Sequence, residues 1–163
     1  MDPETRTRLI EQYKDGYRVI AEALAGASDE ELDARPAPGK WTAREVVHHL
    51  ADSEMTAAVR ARVLVAVDRP QIVGFDQEEF ARRLHYDRPI EASLEVFKAA
   101  RRSTAELLER LSSDDWRRQG SHTEERGPYT LERWLEIYAP HAHKHAQQIL
   151  VARDAGKKRK LQS

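Results

Sequence analysis

Leu131-Glu-Arg-Trp-Leu-Glu-Ile-Tyr-Ala-Pro-His-Ala-His-Lys-His-Ala-Gln-Gln-Ile149 is the stretch that decides the fold. Leu131, Trp134, Leu135, Tyr138, Ala142 and Ile149 fall on one face of a helix by its 3.6-residue period. His141 and His145 lie on or beside that stripe, four residues apart and so stacked one turn over the other. Two imidazoles on an apolar face carry polar nitrogens that each need a partner. One metal ion held by both would satisfy them together, as the two histidines of an H-E-x-x-H helix do. The plainer alternative is a pair of core histidines satisfied by other groups, and spacing alone leaves both open.

Outward from this helix, the same period recurs three times. Leu9, Ile10, Tyr13, Tyr17, Ile20, Ala21 and Leu24 mark a first helix over residues 3–24. Thr42-Ala-Arg-Glu45 reads as a capping box opening a second helix that runs to about residue 67 and stops before Pro70. Ile90, Leu94, Phe97, Thr104, Leu108 and Leu111 mark a third, over residues 90–111. The fourth starts at Thr130 and is expected to end near Arg153, before Gly156. Pro140 removes a backbone donor inside it, which predicts a kink, either inert or aiming His141. Ser28-Asp-Glu-Glu31 opens a short turn, and Asp76-Gln-Glu-Glu79 caps a short extra helix within the long connection between the second and third helices. Residues 112–129 read as a polar connection. No strand alternation is visible, so the prediction is all-α: a single four-helix bundle over residues 1–155, with residues 156–163 a disordered basic tail.

Composition narrows the function. The chain has 163 residues, with 40% hydrophobic and 34% charged, which is a globular composition able to bury one core. A net charge of −1 gives no general attraction to nucleic acid or to acidic membranes. The run Lys157-Lys-Arg-Lys160 reads as a solvated end rather than a nucleic-acid contact. The absence of cysteine excludes disulfides, thiolate ligands and a cysteine nucleophile. No secretory leader or membrane span is visible, so a cytoplasmic location is expected.

Among the seven histidines, the wheel selects three. On the second helix Val46, Leu50, Ala57, Ala61 and Leu64 cluster within about 60°. His49 sits at the edge of that stripe, whereas His48 points nearly opposite and is expected to face water. His143 is expected to be solvated. His49, His141 and His145 remain. Three nitrogen ligands leave coordination positions open, the pattern of catalytic rather than structural zinc sites, and nitrogen ligands suit zinc or nickel.

Trp41-Thr-Ala-Arg-Glu-Val-Val-His-His-Leu-Ala-Asp-Ser-Glu54 and His141-Ala-His-Lys-His145-Ala-Gln-Gln-Ile149 together resemble the two signature segments of the DinB/YfiT-like superfamily. The connection Arg69-Pro-Gln-Ile-Val-Gly-Phe-Asp76 is similar too. The resemblance implies a four-helix bundle holding one divalent metal on three histidines, which map to His49, His141 and His145. It also implies an enzyme of either of two kinds, a metal-dependent hydrolase or a thiol S-transferase using bacillithiol or mycothiol; a mycothiol-dependent isomerase is similar as well. A homodimer is a further implication. Pro140 replaces a tryptophan common in the family, and Gln148 stands where a further histidine can occur, which puts the substrate rather than the ligands in question.

Around this site the sequence offers several partners. Glu45 and Asp52 lie about one turn either side of His49 as candidate bases or acceptors for its other nitrogen, or as solvated charges. Arg60, on the His49 side of its helix, either snorkels or holds an anionic substrate group. Tyr138 donates a proton or packs. Gln148, beside His145, orients a ligand or a substrate. The expectation is a small-molecule enzyme activating a thiol or water; a metal-binding, non-catalytic, stress-linked interaction module is the alternative.

Overall fold

The computed structural model describes residues 1–160. Helix α1 (Pro3–Leu24) starts where Asp2 accepts from the Thr5 amide and Pro3 presets the first turn. Ser28 caps the short α2 (Asp29–Asp33). Thr42 and Glu45 close both halves of the expected capping box on α3 (Ala43–Ala66). Strand β1 (Gln71–Ile72) and α4 (Gln77–Arg83) fill the long connection, with Asp76 accepting from the Glu78 and Glu79 amides. Helix α5 (Glu91–Leu108) follows, then α6 (Ser113–Trp116), β2 (Gln119–His122) and β3 (Tyr129–Thr130). Helices α7 (Leu131–Tyr138) and α8 (His141–Lys160) finish the chain.

Four rods result: α1, α3, α5 and the broken rod α7–α8. Helix α3 packs against α5 and α8, and α1 packs against the same two, so each rod has two neighbours. The core falls into two apolar clusters. One gathers Tyr13, Leu64, Leu131, Trp134 and Leu135, and the other Ile20, Val46, Leu50, Phe97 and Ile149. They meet at an ion pair in which both side chains are only 1% exposed. The Arg101 guanidinium donates to Glu54 at 2.8 and 3.0 Å, to the Tyr13 carbonyl at 2.7 Å and to the Tyr138 carbonyl at 3.3 Å. The Tyr13 hydroxyl donates to the other Glu54 oxygen. Gly16 makes room for this network, because a Cβ there would lie 2.2 Å from Arg101 Nη1.

The structure corrects three expectations. His48 is fully buried rather than facing water, bonded to Ser93 Oγ at 2.8 Å and to the Arg88 carbonyl at 2.9 Å. The reason is that α5 and the connection before it cover the second side of α3, which a one-stripe wheel leaves to solvent. His143 is half-buried against Asp15, 3.1 Å away. The last helix does not stop before Gly156 but continues to Lys160, and only residues 161–163 of the expected disordered tail lie outside the described residues. Gly156 here serves close packing, since a Cβ would lie 3.0 Å from Ala34 and from the Glu31 Cα. Arg153 adds bonds to Glu31 and to the carbonyls of Ala23 and Ala25.

The Pro140 kink is present as a full break between α7 and α8. The polar connection contains more than coil: β2 pairs in parallel with β1 and antiparallel with β3. Strands of two to four residues are too short to show alternation. No helix among the described residues is long and apolar enough to cross a membrane.

Glu54→Ala should cost about 3–5 kcal/mol in urea unfolding, because it strands the buried Arg101 charge. Arg102→Ala, at an exposed pair, should cost under about 0.5 kcal/mol. Equal, small losses would show that the network does not hold the rods.

Candidate metal centre

His49 comes from the second turn of α3, and His141 and His145 from the first two turns of α8. The break at Ala139–Pro140 starts a new helix at the residue that carries the first ring. The three potential ligand atoms all lie within 4.8 Å of one another. The Nε2 atoms of His141 and His145 are 3.1 Å apart. Two nitrogens on a tetrahedral zinc, each bonded at about 2.0–2.1 Å, stand about 3.3 Å apart, so this pair is already at ligand spacing.

Burial sets the protonation state. It pushes His49 down to about 3, with the neighbouring His145 adding to the effect. It pushes His141 down to about 2, again with His145 and then His49 contributing. His145 is lowered by burial as well, against an opposing bond to Gln148. All three rings are therefore neutral at pH 7, the form that ligates a metal. His49 Nδ1 is buried with no hydrogen-bond partner, an omission that normally costs about 1–3 kcal/mol. Three neutral imidazoles, each with a ligand nitrogen within 4.8 Å of the other two, form a donor set that fits a divalent metal.

Gln148 lies against His145. Its Oε1 accepts from His145 Nδ1 at 2.6 Å, which places the His145 proton on Nδ1 and leaves the Nε2 lone pair facing His141. Glu45 and Asp52 do not make the expected bond to His49. Glu45 is held by the Thr42 amide and by Arg35, both at 2.7 Å, and Asp52 accepts from the Tyr86 hydroxyl at 2.7 Å. Each carboxylate is drawn to a loop that the wheel could not place. Tyr138 packs its ring against the His141 edge, with centroids 5.9 Å apart, and Arg60 donates to its hydroxyl at 3.0 Å.

Trp41 is the site residue that the sequence reading passed over. Its ring meets the His49 edge at 4.9 Å. The available signal was its place just before the Thr42 cap, with Val46 at the fourth helical position, the pattern of a hydrophobic staple. Trp41 and Val46 line a cavity of about 650 Å³ that opens onto His145 and Gln148, with Val151 and Lys40 at its sides. That volume suits a small-molecule ligand.

A four-rod bundle with three converging neutral imidazoles defines the class: a helical protein with a metal-competent histidine trio. The chain belongs to the DinB superfamily, whose family model matches residues 12–149. It is 34% identical over 140 residues to a protein of Oceanobacillus iheyensis described as a probable metal-dependent hydrolase, covering 86% of this chain and 81% of that one. A similarly described protein of Geobacillus thermodenitrificans is 33% identical over 145 residues, 88% of this chain and 80% of its own. YfiT of Bacillus subtilis has a solved structure, whose description is a probable metal-dependent hydrolase with an unusual four-helix bundle topology. It superposes with a TM-score of 0.87 at 24% identity, covering 98% of this chain and 90% of that one.

Two outcomes follow from the ring environments. His49 and His141 titrate at about 3 and about 2 when folded, against 6.5 ordinarily, so as pH falls the unfolded chain takes up their protons first. Stability of the metal-free protein should therefore drop below pH about 6.5, by up to about 1.4 kcal/mol per pH unit for each ring. Urea unfolding between pH 7 and 5 should show a shallower fall for His141→Gln than for wild type. Gln148→Ala should weaken metal binding by about 10- to 100-fold in a chelator competition, and unchanged affinity would remove Gln148 from the site.

Proposed function

We propose that this protein is a metal-dependent enzyme of the hydrolase type, acting on a small molecule seated beside His49, His141 and His145. One observation carries the reading: three convergent imidazoles, one buried and two half-buried, are held neutral, and one of them, His145, opens onto a small-molecule cavity. A divalent cation bound there, zinc or nickel, supplies a Lewis acid that makes a neighbouring water, or a thiol of the bacillithiol or mycothiol type, more acidic at neutral pH. The chain's own residues do the rest. Gln148 keeps the His145 proton on Nδ1. Trp41, Val46 and Val151 offer an apolar wall that excludes water from a bound substrate. No carboxylate joins the cluster among the described residues, which supports an open, catalytic ligand set over the closed set of a non-catalytic metal module.

The descriptions of the relatives support hydrolysis, and S-transfer is the variant reaction that the same ligands serve.

Metal analysis of the purified protein beside His141→Ala and His145→Ala tests the reading, with metal lost in both variants as the expected result. Equal content in all three would overturn it. Adding zinc or nickel at about 100 times Kd should stabilise the wild type by about 2.7 kcal/mol. Ester hydrolysis, set against conjugation of an electrophile with and without bacillithiol or mycothiol, separates the two chemistries.

A further inference from the structure

One cluster outside the triad is rich in donors and contains no carboxylate. Arg60 is only 8% exposed, yet its partners are the Tyr138 hydroxyl at 3.0 Å and the Val73 carbonyl at 2.6 Å, with no carboxylate among them. Its Nε is buried and unpartnered. The Phe75 ring covers the guanidinium at 5.6 Å. The Tyr138 hydroxyl accepts from Arg60 and donates to nothing among the described residues. The Tyr129 hydroxyl likewise has no acceptor among them. His122 Nδ1 accepts from the Glu124 amide at 3.1 Å, so its proton sits on Nε2, which also finds no acceptor among the described residues. The His122 and Tyr129 rings lie 4.8 Å apart.

These groups feel one another. Burial lowers His122 and raises Tyr129 and Tyr138, and the Arg60 charge pulls on all three. The nearby acidic groups are engaged elsewhere: Glu125 pairs with Arg133 at 2.8 Å, and Glu54 with Arg101. Glu124 lies against Gly74 and makes no ion pair with Arg60.

We propose that Arg60, Tyr138, Tyr129 and His122 form a binding site for a carboxylate group of a small molecule. A buried cation lacking a counter-charge is costly, and its unpartnered Nε–H, together with the Tyr138, Tyr129 and His122 protons that have no acceptor among the described residues, is completed by an oxyanion. The charge count selects the anion. One unpaired guanidinium is neutralised by a monoanion, whereas a phosphate dianion would leave surplus negative charge beside a guanidinium that is only 8% exposed. The Tyr138 ring lies against His141, while the cavity reaches the triad at His145. The carboxylate therefore binds on the His141 side. Its assignment to the substrate rests on the metal-enzyme reading, but the anion site does not.

The test is an acetate titration of chelator-treated wild-type protein, following the Arg60 Nε–H signal by NMR and identifying it by its loss in Arg60→Gln. A saturating shift with acetate, none with acetamide and weaker binding of inorganic phosphate are expected. Tyr129→Phe, which leaves the guanidinium contacts in place, should weaken acetate binding by about 10- to 100-fold. Without acetate, Arg60→Gln should not lower Tm, because it removes an uncompensated charge; a purely structural arginine would give a fall. No saturating response, or an equal one to acetamide, overturns the proposal, and phosphate binding tighter than acetate overturns the choice of carboxylate. Since the protein is metal-free throughout, failure of the metal experiment leaves this result readable.

Discussion

A single guanidinium, that of Arg101, ties the four rods together. It sits on α5 and bonds to Tyr13 of α1, Glu54 of α3 and the last residue of α7. An ion pair this deeply buried persists only because every partner is supplied, since removal from water costs several kcal/mol per charge. Its geometry therefore fixes how the rods may approach. It also holds the Tyr138 carbonyl three residues before His141, so the same network that joins the two apolar clusters anchors the chain where the metal-competent helix begins.

The break at Pro140 works with that anchor. A continuous helix from Leu131 to Lys160 would have to carry Trp134 and Tyr138 into one cluster and Ala142 and Ile149 into the other along one straight face. The break lets α7 and α8 satisfy the two clusters separately. It also leaves α8 to begin at His141. The imidazoles that follow are kept neutral by burial rather than by neighbouring acids, and this ordering of causes matters. A carboxylate in the cluster would have favoured imidazolium and closed the ligand set. Here the acids nearest in sequence, Glu45 and Asp52, are drawn to the Arg35 loop and to Tyr86, leaving His49 without hydrogen bonds to either.

The two ends of the site differ in character. At His145 the wall is apolar, built from the residues that staple the start of α3. At His141 the neighbouring groups are donors that converge on Arg60. Under the proposed carboxylate site, the substrate is an amphipathic small molecule, apolar at one end and carboxylate-bearing at the other. Desolvation supports that orientation: apolar surface seeks the Trp41 side, and an anion the uncompensated charge.

The sequence by itself determined the long helical segments, the caps at Thr42 and Asp76, a kink at Pro140 and the stacking of His141 over His145. Each depends on residues within a turn or two, where helical geometry is nearly rigid. His49 was legible because it lay on the edge of its helix's apolar stripe. The burial of His48, the run of α8 through Gly156, the short sheet and the Trp41 wall were decided only by tertiary structure. Each arises where a second element covers a face that local periodicity assigns to water, and no wheel drawn for one helix contains that element. The Glu54–Arg101 pair belongs with them, because two charges 47 residues apart become partners only once the rods have packed.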